Sequence, residues 1–160
     1  MKNEISSRAK VRFADCDPIG HLNNVKYLEY MLNAREDHVE EFYGFTYEDY
    51  AKRTGCTWIM VQNEIAYLKE VRANTKVVIS SKTIATNDRI SKVEILMKSD
   101  DEKTIHAVLW ITVIYFNMKT RKSEVLPKDI KDLFLKYLVE LDQNDFSSRA
   151  NYLRQSNKTV

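Results

Sequence analysis

Between Asp17 and Tyr27 the chain sets a carboxylate (Asp17), an imidazole (His21), an amide (Asn24) and a phenol (Tyr27) on a turn that runs into an amphipathic stretch. Such a set suits acyl transfer. A carboxylate can attack a carbonyl or activate water, and the free N–H groups at a helix start can stabilise the oxyanion that forms. Gly20 would let backbone approach a substrate where a side chain would obstruct it. The same residues also have a plainer use. An Asp before Pro18 is an ordinary turn residue, an Asn before a helix is an ordinary cap, and His21 can cap or pack. Cys16 lies between Asp15 and Asp17, whose charges would raise its pKa and argue against a thiolate nucleophile.

The elements that must position these groups follow from periodicity. Ala9, Val11 and Phe13 alternate with Lys10 and Arg12, which reads as a half-buried strand feeding the Asp15-Cys16-Asp17-Pro18 turn. From Asn24 to about Tyr43, Lys26, Glu29, Asn33, Glu36, Asp37 and Glu40 recur at helical spacing. Val25, Leu28, Met31, Leu32, Val39 and Phe42 fill the other face. Asn23 or Asn24 is the N-cap and Gly44 the C-terminal stop. Another helical turn is expected near 46–52.

Four segments, 58–68, 75–85, 90–98 and 104–116, are rich in Val, Ile, Thr and aromatic residues and read as strands. The short polar connections at 72–74, 87–89 and 99–102 favour antiparallel hairpins in series. The last strand is apolar on both faces, as a strand covered by a helix on one side and a second subunit on the other would be. Pro127 fits the N1 position of a further helix carrying Ile130, Leu133, Phe134, Tyr137, Leu138 and Leu141. Residues 1–141 are therefore expected to form one domain, followed by a polar, partly ordered tail at 142–160.

Composition narrows the partners. Hydrophobic residues make up 44% and charged residues 30%, with a net charge of +2, so the chain should fold, and no global field recommends nucleic acid or an anionic membrane. The run from Ala107 to Phe116 is too short to span a bilayer. The first residues hold no secretory apolar core, so a cytoplasmic location is expected. Cys16 and Cys56 form no CxxC pair, and no His cluster has zinc-ligand spacing, so no metal or other cofactor is expected.

The segment Phe13-Ala14-Asp15-Cys16-Asp17-Pro18-Ile19-Gly20-His21 resembles the active-site loop of the 4-hydroxybenzoyl-CoA thioesterase family. Its continuation, His21-Leu22-Asn23-Asn24-Val25-Lys26-Tyr27-Leu28, resembles the HVNN-x-x-Y stretch of bacterial long-chain acyl-CoA and plant acyl-carrier-protein thioesterases. The resemblance covers roughly residues 8–127. It implies an α+β hotdog fold, an antiparallel sheet wrapped around a long helix, here with an added C-terminal helix, joined edge to edge as a homodimer or as a tetramer of two dimers.

The resemblance further implies an acyl-CoA thioesterase with coenzyme A as part of the substrate. Asp17 takes the place of the nucleophile or general base and His21 that of the histidine, while Gly20, Asn24 and Tyr27 shape the site. Ile19 stands where the plant pattern has an Asn, so a triad copied whole from that subgroup is not implied. The turn carrying Arg89, Ser91 and Lys92 is similar to the one that lies near the nucleotide in related enzymes. The 119–122 cluster is a second candidate for the phosphates. Other hotdog thioesterases use a helix glutamate; Glu29 and Glu36 fall on the polar stripe of the helix, where a solvated face explains them better, and Glu64 is a weaker strand candidate. Two rivals remain: an acyl-carrier-protein thioesterase and a non-catalytic acyl-CoA-binding protein.

Overall fold

The computed structural model describes residues 3–159. In chain order it contains β1 (Ile5–Lys10), α1 (Asn24–Tyr43), α2 (Tyr47–Thr54), β2 (Cys56–Tyr67), β3 (Lys76–Thr86), β4 (Ile90–Ser99), β5 (Ile105–Asn117), β6 (Lys122–Ser123), α3 (Lys128–Lys136) and α4 (Phe146–Lys158). The architecture is α+β, with an antiparallel sheet curled around α1 in the hotdog manner.

Helix α1 starts where the Asn23 side chain accepts from the Val25 N–H, and it ends at Gly44 with φ 76°. Both stops match their residue types. Its buried stripe is rotated from the one expected, since it holds Tyr27, Met31, Ala34, Arg35, His38 and Val39, while Val25 is 67% exposed. Two polar side chains, Arg35 and His38, thus lie against the sheet because they find hydroxyl partners there.

The sheet order is β1-β3-β4-β5-β2, with the short β6 beside β5. The β3-β4-β5 hairpins are as expected, but β2 does not pair with β3. It runs antiparallel to β5 at the far edge, Cys56 opposite Asn117 and Tyr67 opposite Ala107. The connection through 72–74 is therefore a crossing. Three strand spacings are about 14 Å, and eight residues can reach well beyond that, so a short link does not require a hairpin. The buried Val71 anchors the crossing.

The first strand lies earlier than its alternation suggests: β1 ends at Lys10 and a 3-10 turn takes Phe13–Asp15, leaving Phe13 78% exposed. Helix α3 stops at Lys136, with Pro127 at the N-cap rather than N1. Leu141 instead packs on the outer sheet face.

The tail read as a polar arm contains α4, capped by the Asp145 side chain on the Ser148 N–H. Ala150 and Leu153 of this helix pack with Leu96, Ile105, Val108 and Trp110. The double-sided burial of β5 is thus explained within one chain, α1 covering one face and α4 the other. Amphipathicity in α4 rests on only a few apolar residues among charges, which is why composition alone hid it.

Candidate active site

The loop from Cys16 to Leu22 is closed on itself. The Asp17 N–H donates to the His21 carbonyl at 2.8 Å, and the Gly20 N–H to the Asp17 carbonyl at 3.0 Å. Asp17 Oδ1 accepts from the backbone N–H groups of Ile19 and His21, each at 3.1 Å. Gly20 sits at φ 84°, and a Cβ there would meet nothing within 4 Å. Within the chain, glycine is required there by left-handed backbone rather than by lack of space.

The crossing after β2 then pins this loop from outside. The Leu22 N–H donates to Val71 O at 2.8 Å and the Ala73 N–H to Gly20 O at 3.1 Å, while the Asn23 N–H reaches Asp15 O at 3.0 Å. A carboxylate is thereby fixed at the mouth of a cleft of about 230 Å³.

That cleft gathers Asp17, His21, Asn24 and Tyr27, the four groups singled out above, and adds Tyr67, Lys69 and Glu70. Among the described residues, no hydrogen-bond donor contacts Asp17 Oδ2, and the Asn24 N–H has no acceptor. The neighbouring Val25 and Lys26 N–H groups are taken by Asn23, so Asn24 supplies the free amide at the helix start. His21 Nδ1 stands 3.5 Å from Glu70 Oε2. The Tyr67 hydroxyl donates to the Asn24 carbonyl at 3.1 Å. Tyr27 is buried, edge-on to Tyr67, and burial raises its pKa, which suits a packing residue. Burial and then the charges of Asp17 and Asp15 raise the Cys16 pKa, which leaves it a thiol.

Tyr67, Lys69 and Glu70 carry no motif. Only the β2–β5 register and the crossing bring them beside a loop some fifty residues earlier.

The three residues named for the nucleotide separate. Arg89 lies at the opposite end of the sheet from Asp17, its Nη1 donating to Ser123 O at 2.9 Å. This brings it beside the turn carrying Lys119, Arg121 and Lys122, so two basic segments converge. Ser91 is buried and bonded to Thr86 at 2.9 Å. Lys92 faces the other side of the sheet, its Nζ 5.2 Å from the Trp110 ring. Glu29 pairs with Lys26 at 3.2 Å. Glu64, opposite Trp110, points to the outer face, away from α1.

A second, larger groove of about 320 Å³ runs between α1 and β2, with Leu32, Arg35, Trp58, Met60 and Val113 on its walls. It opens toward the exposed edge of β2, where Ile59, Met60 and Val61 are solvent-facing. Val61 is the residue skipped at the register shift, a bulge.

The sequence pattern of the thioesterase-like superfamily matches residues 11–134. Among curated proteins none matches the chain. Among solved structures, one from Lactobacillus plantarum assigned as an oleoyl thioesterase superposes with TM-score 0.77 at 17% identity, over 89% of this chain and 55% of that one. The chain thus spans little more than half of that protein. A DHNA-CoA thioesterase from Staphylococcus aureus gives TM-score 0.75 at 18% identity, over 83% of this chain and 89% of that one. A Staphylococcus aureus hypothetical protein solved in complex with CoA gives 0.77 at 12% identity, over 89% and 90%.

Proposed function

The chain belongs to the thioesterase-like superfamily, and from that premise we propose that it hydrolyses an acyl-CoA thioester to a carboxylic acid and CoA. The observation that carries this reading is the Asp17 carboxylate, held through Oδ1 by two backbone amides with Oδ2 uncommitted, in one cleft with the free Asn24 N–H. Asp17 attacks the thioester carbonyl or takes a proton from an attacking water, and the Asn24 amide at the positive end of α1 stabilises the oxyanion. Collapse of the tetrahedral species expels the CoA thiolate, which takes up a proton; where Asp17 itself attacked, water then hydrolyses the acyl-Asp17 anhydride, releasing the carboxylic acid and restoring the carboxylate. Glu70 orients His21, which borders the cleft.

Coenzyme A and the acyl group draw on two copies of the chain. Within one protomer, Arg89 and the 119–122 cluster are at the far sheet end from Asp17. The long β2 edge, with three exposed apolar residues at its centre, is the kind of edge that proteins cover. Antiparallel pairing of β2 with its copy would set each Tyr67 end, and with it Asp17, beside the basic end of the partner. Helix α4 closes the outer face to further assembly, so a homodimer is the proposed unit. Both cysteines are free thiols, which suits a reducing, cytoplasmic compartment.

Asp17→Asn is the decisive variant. Asn keeps an Oδ1 acceptor for the Ile19 and His21 amides, so the loop stays closed while the charge is removed. Release of free thiol from acyl-CoA is expected to fall by about 10²–10⁴-fold. Hydrolysis at the parent rate by a folded Asp17→Asn protein would overturn the reading.

A further inference from the structure

Arg35 is only 5% exposed, yet among the described residues its guanidinium hydrogen-bonds to neutral hydroxyls alone: Ser81 Oγ at 3.1 Å, Thr83 Oγ1 at 3.3 Å and Tyr43 at 3.4 Å. Among the described residues no carboxylate lies within ion-pair distance of it. A buried cation without a counter-ion is costly and is normally paired. The Trp58 indole N–H, across the groove on β2, is also shut off from water and has no acceptor among the described residues.

These two donors meet in one place. Arg35 and Trp58 both line the open groove between α1 and β2, and both line the narrow aromatic cavity at its inner end, whose free volume is about 30 Å³. The groove has room for the body of an acyl group, and the inner cavity for its terminus. Tyr43, Phe45 and Phe134 wall that cavity, with Thr83 and Tyr47 adding hydroxyl groups and Arg35 its charge. Glu36 stands at the exposed rim, where water screens it.

We propose that this groove selects acyl-CoA substrates whose acyl group ends in a carboxylate, with Arg35 and Trp58 as the donors that recognise it. A neutral terminus would leave the guanidinium uncompensated. A carboxylate accepts from both donors and neutralises the charge. The inference rests on the thioesterase reading for its turnover, and on the groove alone for its ligand.

The test compares adipoyl-CoA and suberoyl-CoA with hexanoyl-CoA and octanoyl-CoA, matched in carbon number. The parent enzyme is expected to favour the carboxylate-ended member of each pair by about tenfold or more in kcat/KM, roughly one charge-assisted interaction. Arg35→Met should cut that ratio by at least about tenfold, and Trp58→Phe by a few-fold, because one neutral donor is worth less than a guanidinium. Should Arg35→Met fail to fold, the parent ratio and Trp58→Phe decide. Equal or better turnover of the neutral esters would overturn the inference and leave the thioesterase reading intact. If no acyl-CoA is hydrolysed, that reading fails instead, and tryptophan fluorescence titration with adipoyl-CoA against hexanoyl-CoA still decides the selectivity. Tighter adipoyl-CoA binding supports it, and equal binding overturns it.

Discussion

The two faces of the sheet bury charge in opposite ways. On the outer face Glu94 is wholly enclosed, and its partners surround it. Arg149 donates twice, from Nε and Nη2 at 2.7 Å each, Trp110 Nε1 donates at 2.8 Å, and Lys82 Nζ stands 3.2 Å away. Lys82 also meets Glu4 at 3.2 Å. Burial alone would raise the Glu94 pKa, but Arg149, Lys82 and Trp110 outweigh it and hold the group below its usual value. On the inner face, among the described residues, the hydrogen-bond partners of Arg35 and His38 are hydroxyls. The difference separates structure from function. Charges that find each other fasten α4 to the sheet, and a charge left without its opposite lines a cavity that something else must enter.

The sharpest way to break this contrast is to cut the outer network. Glu94→Gln leaves Arg149 buried without its counter-ion, and removing one partner of such a pair costs about 3–5 kcal/mol. Urea unfolding of the variant should show a loss of that size. Trp110 fluorescence should report release of α4, since Trp110 packs against Phe146 at 5.4 Å. A loss under about 1 kcal/mol would mean that the apolar contacts of Ala150 and Leu153 hold α4 without the ion network.

Next in size is an acid effect from the inner face. His38 is 1% exposed between Ser7 and Ser81, and burial first, then the charge of Arg35, lower its pKa to about 4. In the unfolded chain the group titrates near the ordinary imidazole value of 6.5. Its folded pKa is depressed, so its contribution is complete above about pH 6.5 and is lost as pH falls toward 4. The loss amounts to about 3 kcal/mol. Unfolding free energy should decline already between pH 6.5 and 5, ahead of the buried carboxylates. In His38→Gln that early decline should shrink, leaving the part that comes from His106, whose pKa burial also lowers.

Much of this layout was legible in the chain. Asn23, Gly44 and Pro127 mark helix ends, and the β3, β4 and β5 segments announce themselves by β-branched and aromatic content, because these signals are local. Asp17, His21, Asn24 and Tyr27 can be grouped for the same reason: they are neighbours in sequence, and they line one cleft. What escaped is long-range. The pairing of β2 with β5, the docking of α4, and the placing of Glu70 beside His21 depend on contacts between distant segments. Arg35 escaped for a different reason. It falls on the boundary of the helical stripe, and the hydroxyls of Ser81 and Thr83, far from it in sequence, together with that of Tyr43 two turns on, draw it inward.

The smallest expected effect is the most informative about that residue. Were Arg35 a structural charge like Arg149, replacing it would cost several kcal/mol. Its hydroxyl partners, however, keep other bonds without it. Tyr43 and Thr83 remain 3.0 Å apart and Ser81 keeps His38 at 2.7 Å. Met fills a similar linear volume and brings no charge into the cavity. Arg35→Met should therefore change the unfolding free energy by less than about 1 kcal/mol in either direction, measured at pH 7.5, where His38 is neutral in both proteins. A loss comparable to that of Glu94→Gln would show that the inner charge is held in place for the fold, and the contrast between the two faces would then be one of partner type alone.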